Sequence, residues 1–185
     1  MIAASYEAKK YGIGVGTPIW ECQKILGRKL VQKIPDHTFY KQVSDRIMGY
    51  LSKKLGHIEV FSIDELFAEV TGMAKDYAGF AEEIKMDIYR DIGMSVSVGI
   101  SNTRIRAKMF GDLYKPFGSF VAFDTTEIEE VYRKLGLREI PYIGRGSADR
   151  LGYSIRTVYD FYAMDPWEVS RLLGKNGVTL WLELR

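Results

Sequence analysis

The chain has 185 residues, 46% hydrophobic and 27% charged, enough for one good core or two small linked units of an ordinary globular protein. A single cysteine, Cys22, excludes an intramolecular disulfide. Only two histidines (His37 and His57) accompany it, too few for a zinc site. No apolar run reaches the length of a bilayer and the first residues lack a signal-peptide layout, so a cytoplasmic protein with no membrane partner is expected. The net charge of +2 is unevenly placed: residues 1–54 carry ten Lys or Arg against four Asp or Glu, residues 55–100 three against nine, and the remainder thirteen against eleven. An acidic middle between basic flanks suits a metal-bearing centre with phosphate-binding surroundings, and equally suits helices with charged outer faces.

In chain order, Ile2 to Lys10 reads as a strand passing into a helix around residues 6–10, broken by Gly12, Gly14, Gly16 and Pro18. Residues 19–26 form a short helix. Residues 36–54 form a longer amphipathic one, with Phe39, Val43, Ile47 and Leu51 four apart. In residues 58–71, two runs of β-formers flank Asp64 and Glu65, which predicts a hairpin with an acidic turn, closed by Gly72. Two carboxylates on a rigid hairpin are a seat for Mg2+, and phosphoryl or nucleotidyl transfer is then the leading chemistry; a solvated acidic turn is the other reading.

The helical period returns over residues 78–92 through Phe80, Ile84, Ile88 and Ile92 and ends at Gly93. Met94 to Ile100 alternates as a strand, and residues 102–114 form a basic helix capped by Asn102 or Thr103. Its Arg104, Arg106 and Lys108 are candidates for a nucleic-acid backbone or for a solvated face. A strand at residues 120–123 and a helix at 127–135 follow. The expected fold is α+β, a mixed or antiparallel sheet with helices on one face. Beyond Gly136 short helices are separated by glycines. The stretch Ile140-Pro141-Tyr142-Ile143-Gly144-Arg145-Gly146-Ser147 leads into Ala148-Asp149-Arg150-Leu151. It has the layout of a helix-hairpin-helix, in which Gly144, Arg145 and Gly146 let backbone N–H groups approach a DNA phosphate. An ordinary glycine-rich connector is the alternative, although residues 151–161 add a further turn and helix.

Several motifs occur in order. Ala4-Ser5-Tyr6-Glu7-Ala8-Lys9-Lys10-Tyr11-Gly12 precedes Gly16-Thr17-Pro18, then Val60-Phe61-Ser62-Ile63-Asp64-Glu65-Leu66-Phe67 and Val96-Ser97-Val98-Gly99-Ile100-Ser101. Ala107-Lys108-Met109, Asp112-Leu113-Tyr114-Lys115-Pro116 and Ile140-Pro141-Tyr142-Ile143-Gly144 complete the set. Together they resemble the Y-family translesion DNA polymerases of the UmuC/DinB type, over essentially the whole chain. The resemblance implies partial fingers at residues 1–35, an incomplete palm at 36–136, and a small all-α thumb with the helix-hairpin-helix at 137–185. It implies Mg2+-dependent addition of deoxynucleotides to a DNA primer opposite damaged bases, with two ions in the complete site. Asp64 and Glu65 would be metal-binding and catalytic, Tyr6, Lys9 and Lys115 would hold the deoxynucleoside triphosphate, and Gly144, Arg145 and Gly146 would meet primer-template DNA. Sliding-clamp contacts in such proteins fall outside these residues, and the setting is cytoplasmic and nucleoid-associated.

The sequence departs from the family pattern in two ways. Lys9 stands where arginine is common, which keeps the charge but loses the bidentate fork. The chain also starts downstream of the strand carrying a further metal-binding aspartate and the aromatic steric gate, and it stops before the little-finger domain. The expectation is therefore polymerase activity that is very low or absent unless that strand is supplied in trans, and an exposed sheet edge. The alternative is a non-catalytic damaged-DNA-binding accessory protein of the same family. A palm-type cyclase is a third reading, against which the helix-hairpin-helix argues.

Overall fold

Ser5 opens the first helix: its hydroxyl accepts the Ala8 backbone N–H (3.3 Å), and α1 covers Tyr6–Lys9. The computed structural model describes residues 1–185 as two compact units, Met1–Phe39 and Tyr40–Arg185. In the first, residues 1–5 pair with no other strand, so the expected opening strand does not form. The Met1 ammonium instead donates to the Thr17 carbonyl (2.9 Å), and Gly14 N–H donates to the Thr17 hydroxyl (3.0 Å). Gly12 and Gly16 carry left-handed backbone at the turns between them. Helix α2 (Ile19–Leu26) follows Pro18, and only Ile13 and Cys22 of this unit are buried.

The second unit begins within α3 (His37–Leu55), whose first turn is capped by Asp36 through the Phe39 N–H (2.9 Å). Leu51 and Leu55 meet Ile84 and Ile88 of α4 (Tyr77–Ile92), as their four-residue spacing predicts. Asp76 caps α4, and Gly93, left-handed at φ 79°, ends it. Strands β1 (Ile58–Val60) and β2 (Leu66–Ala68) form the expected antiparallel hairpin, with Glu59 opposite Phe67. Strands β3 (Val98–Ile100) and β4 (Ser119–Val121) pair in parallel, joined by the crossover helix α5 (Arg104–Leu113). Met94 to Ser97 stay outside the ladder, so the strand is shorter than its alternation implies. No hydrogen-bonded ladder joins the two ribbons, which corrects the single mixed sheet.

A second correction concerns the layers. Val98 packs into the α3–α4 cluster and the Ser119 hydroxyl donates to Glu82 of α4 (3.1 Å). On the opposite face lie Gly99 and its partner Phe120, which meet α5; the Phe110 and Phe120 rings are 5.0 Å apart. Helices thus cover both faces of the parallel pair, as a crossover connection requires.

Asp124 caps α6 (Thr125–Lys134), which therefore starts before residue 127. A 3-10 turn at Leu137–Glu139 leads to α7 (Arg145–Leu151), then α8 (Val158–Tyr162) behind a Thr157/Asp160 capping box, and α9 (Pro166–Glu183). Gly174, left-handed at φ 67°, breaks α9 into two segments. The element before Gly144 is a single 3-10 turn rather than a full helix, because Pro141 forces Ile140 into extended backbone. One core of Phe110, Tyr132, Phe161, Val169, Trp181 and Leu184 runs through α5, α6, α8 and α9. No helix is long and apolar enough to cross a membrane.

Candidate active site

The hairpin works by strand alternation. Ile58, Leu66 and Ala68 point into the α3–α4 core, while Glu59, Phe67 and Glu65 point the other way. That second face receives α5. Arg104 pairs with Glu59 (2.9 Å) and stacks over the Phe67 ring at 4.4 Å, and one turn later Lys108 forms an ion pair with Glu65. At the apex Phe61 and Ser62 N–H groups both donate to the Glu65 carbonyl (3.0 Å each), which fixes the turn. Asp64 is exposed there and accepts the Ser62 hydroxyl at 2.6 Å. The two adjacent acids therefore differ: Asp64 is open to solvent, and Glu65 is half-buried and already charge-neutralised.

Asp64 and Glu65 are the carboxylates gathered at this point, and no cluster of three His, Cys, Asp or Glu side chains forms anywhere in the structure. The donor set is hard oxygen without imidazole or thiolate. Such a set fits Mg2+ held by one or two carboxylates together with substrate phosphates and water.

Two hollows adjoin α5, and the first of them also touches the hairpin. This cleft of about 620 Å³ lies between the hairpin and α5 on one side and helices α7 and α9 on the other, lined by Phe67, Arg104, Tyr142, Ser147, Arg150 and Asn176 among others. The buried Glu183 Oε2 at its edge has no hydrogen-bond partner. A shallower groove is bounded by Lys108, Asp112, Arg138, Tyr142 and Gly144. Lys108 thus touches the acidic turn and lines the groove that ends at the Gly-x-Gly stretch. Gly144 caps α7 with ordinary negative φ, Arg145 and Gly146 lie in its first turn, and a side chain added at either glycine would meet nothing within 4 Å. The glycines are not required by the fold; they leave the backbone uncovered.

The remaining expected residues fall as follows. Tyr6 and Lys9 share α1 in the first unit, with the Lys9 ammonium over the Tyr6 ring at 4.7 Å. Lys115, just after α5, pairs with Asp112. Arg106, expected as a nucleic-acid contact or a solvated charge, is neither: it is buried, donating to the Tyr132 hydroxyl (3.2 Å) and the Leu184 carbonyl (2.8 Å). Arg104 and Lys108 are likewise not a free solvated face. Sequence reasoning missed Ser62 as the brace of Asp64 and the role of Tyr142, which lines both hollows. The Ser-x-Asp spacing carried the signal for Ser62, whose hydroxyl oxygen accepts the Asp64 N–H two residues on (3.3 Å) as in a serine turn.

A family model described as "IMS: impB/mucB/samB family" matches residues 1–112. Among curated proteins, the DNA polymerase IV of Saccharolobus solfataricus is 36% identical over 80% of this chain and 42% of its own length. That of Vibrio parahaemolyticus is 32% identical over 96% of this chain and 51% of its own. Among solved structures, a Y-family DNA polymerase chimera superposes with a TM-score of 0.85 at 31% identity, covering 99% of this chain and 54% of the other. DinB from Sulfolobus solfataricus gives 0.82 at 32% identity, covering 98% and 54%. The chain spans about half the length of the curated relatives it matches.

Proposed function

The chain belongs to the impB/mucB/samB family of Y-family DNA polymerases, and from that premise we propose that it carries the acidic centre for Mg2+-dependent addition of deoxynucleotides to a DNA primer opposite damaged bases. The observation that carries this reading is the pair Asp64 and Glu65, raised on a braced hairpin apex beside α5 and the hollows leading to α7. Bound Mg2+ would supply Lewis-acid stabilisation of the charge developing on the primer oxygen and the triphosphate. Asp64 and Glu65 would hold it. Tyr6 and Lys9 would contact the triphosphate, and Lys115 its phosphates from the end of α5. The uncovered N–H groups around Gly144, Arg145 and Gly146 would receive primer-template backbone, a sequence-independent and salt-sensitive contact. On this reading residues 1–35 act as fingers, 36–136 as palm, and 137–185 as a thumb of helix-hairpin-helix type.

With two carboxylates for ions of charge +2, most ligands must come from substrate or another segment, so catalysis by these side chains alone is weak. Primer extension with Mg2+ on a damaged template tests the proposal: Asp64→Asn should lower incorporation about a hundredfold or more. Extension that is unchanged by Asp64→Asn rejects it.

The neutralisation of Glu65 by Lys108 favours one other reading, a non-catalytic damaged-DNA-binding accessory protein. Salt-dependent DNA binding indifferent to Asp64→Ala, with no extension under any divalent cation, would select it.

A further inference from the structure

Arg104 and Lys108 stand one turn apart on α5 and both reach the hairpin, but they are held differently. Arg104 has two anchors, the Glu59 carboxylate and the Phe67 ring. Lys108 has one, Glu65, and its side chain also lines the groove that runs past Asp112 to Gly144. Glu65 is one of two acids available to a divalent cation at the turn. An ammonium and a doubly charged ion at the same carboxylate repel each other, so a divalent ion on Glu65 weakens its hold on Lys108. The lysine is only 20% exposed and needs another place for its charge. The groove supplies one: Asp112 lies one helical turn further along, itself engaged with Lys115, and the uncovered backbone of the Gly-x-Gly stretch closes the far end.

We propose that Lys108 is the resident counter-ion of the acidic turn, holding Glu65 until a divalent cation takes that carboxylate and then swinging into the groove beside Gly144 to meet a nucleic-acid phosphate. Cation binding and backbone binding are then linked through one side chain, and Lys108 acts as a positioning residue. The inference rests on the reading of Asp64 and Glu65 as cation ligands.

Mn2+ binding to the full chain, read by loss of the free-ion electron paramagnetic resonance signal, tests it. Lys108→Met should tighten Mn2+ binding about fivefold, the scale of a partly exposed ion pair, whereas Lys108→Arg should leave it near the wild-type value. In the unmutated protein, Mg2+ should raise the rate of Lys108 acetylation by an activated ester, read by mass spectrometry against Lys41, which pairs with Asp45 away from the hairpin. Mn2+ binding that depends on Asp64 but is unchanged or weakened by Lys108→Met, with Lys108 acetylation indifferent to Mg2+, overturns the exchange and leaves the metal site standing. Mn2+ binding that is indifferent to Asp64→Asn removes both.

Discussion

Gly99 and Ala107 are in backbone contact: a methyl group on Gly99 would overlap the Ala107 carbonyl oxygen, with the Gly111 amide nitrogen close behind. Strand β3 and helix α5 approach this closely only because glycine occupies that position. Gly99→Ala is expected to cost about 3 kcal/mol in urea unfolding, since the obstructing atoms are backbone and cannot rotate away. Gly49→Ala is the matched control. It lies mid-helix in α3 with nothing within 4 Å and negative φ, so the same substitution should stabilise by about 0.5–1 kcal/mol.

Asp87 on α4 joins two helices, accepting from the Tyr50 hydroxyl (2.5 Å), Lys54 (2.9 Å) and Arg90 (2.8 Å). The Tyr50 hydrogen bond, then that of Lys54, holds its carboxyl down at about 2, from an ordinary value of 3.8. A depressed value means the stabilisation is full above pH 3.8 and is lost as pH falls through about 2. Urea midpoints taken from pH 5 downward should therefore drop more steeply across that window in the wild type than in Asp87→Asn.

Tyr132 gives the opposite sign. Burial pushes its phenol up to about 12 from 10, while its oxygen accepts from Arg106 and donates to the Leu184 carbonyl. The neutral phenol is favoured in the folded state, so its contribution is full below pH 10 and is lost as pH rises through about 12. Tyr132→Phe should lower stability at neutral pH by about 1–3 kcal/mol, because a buried guanidinium and a carbonyl lose a partner. It should also reduce the alkaline loss followed by tyrosinate absorbance.

Gly146→Ala separates folding from binding. It sits in the first turn of α7 with open space around it and no positive φ, so thermal stability should hold or rise slightly. Affinity for duplex DNA, measured by fluorescence anisotropy at fixed salt, should nevertheless fall several-fold if the uncovered backbone is the contact surface.

Much of this was legible from local pattern. The four-residue spacing of Ile84 and Ile88 located α4, and alternation around Asp64 and Glu65 located the hairpin, because both signals lie within a few residues. The helix starts moved where a cap decides: Asp124 draws α6 back ahead of residue 127. What sequence could not supply is long-range. Arg106 on a basic helix reads as surface charge, yet its carbonyl partner is 78 residues away at Leu184. The partner of Lys108 is 43 residues upstream, and the strand at β3 shortened because only Val98 onward finds β4. The layering on both faces likewise depended on which side of β3 carried no side chain.

In the first unit the sulfur of Cys22 is fully enclosed, sharing the interior with Ile13 alone. A unit with only two buried side chains has little burial to keep it shut, and each opening bares the thiol to reagent. The rate at which the intact chain is alkylated thus counts the openings of this one segment, with no other sulfhydryl to blur the reading.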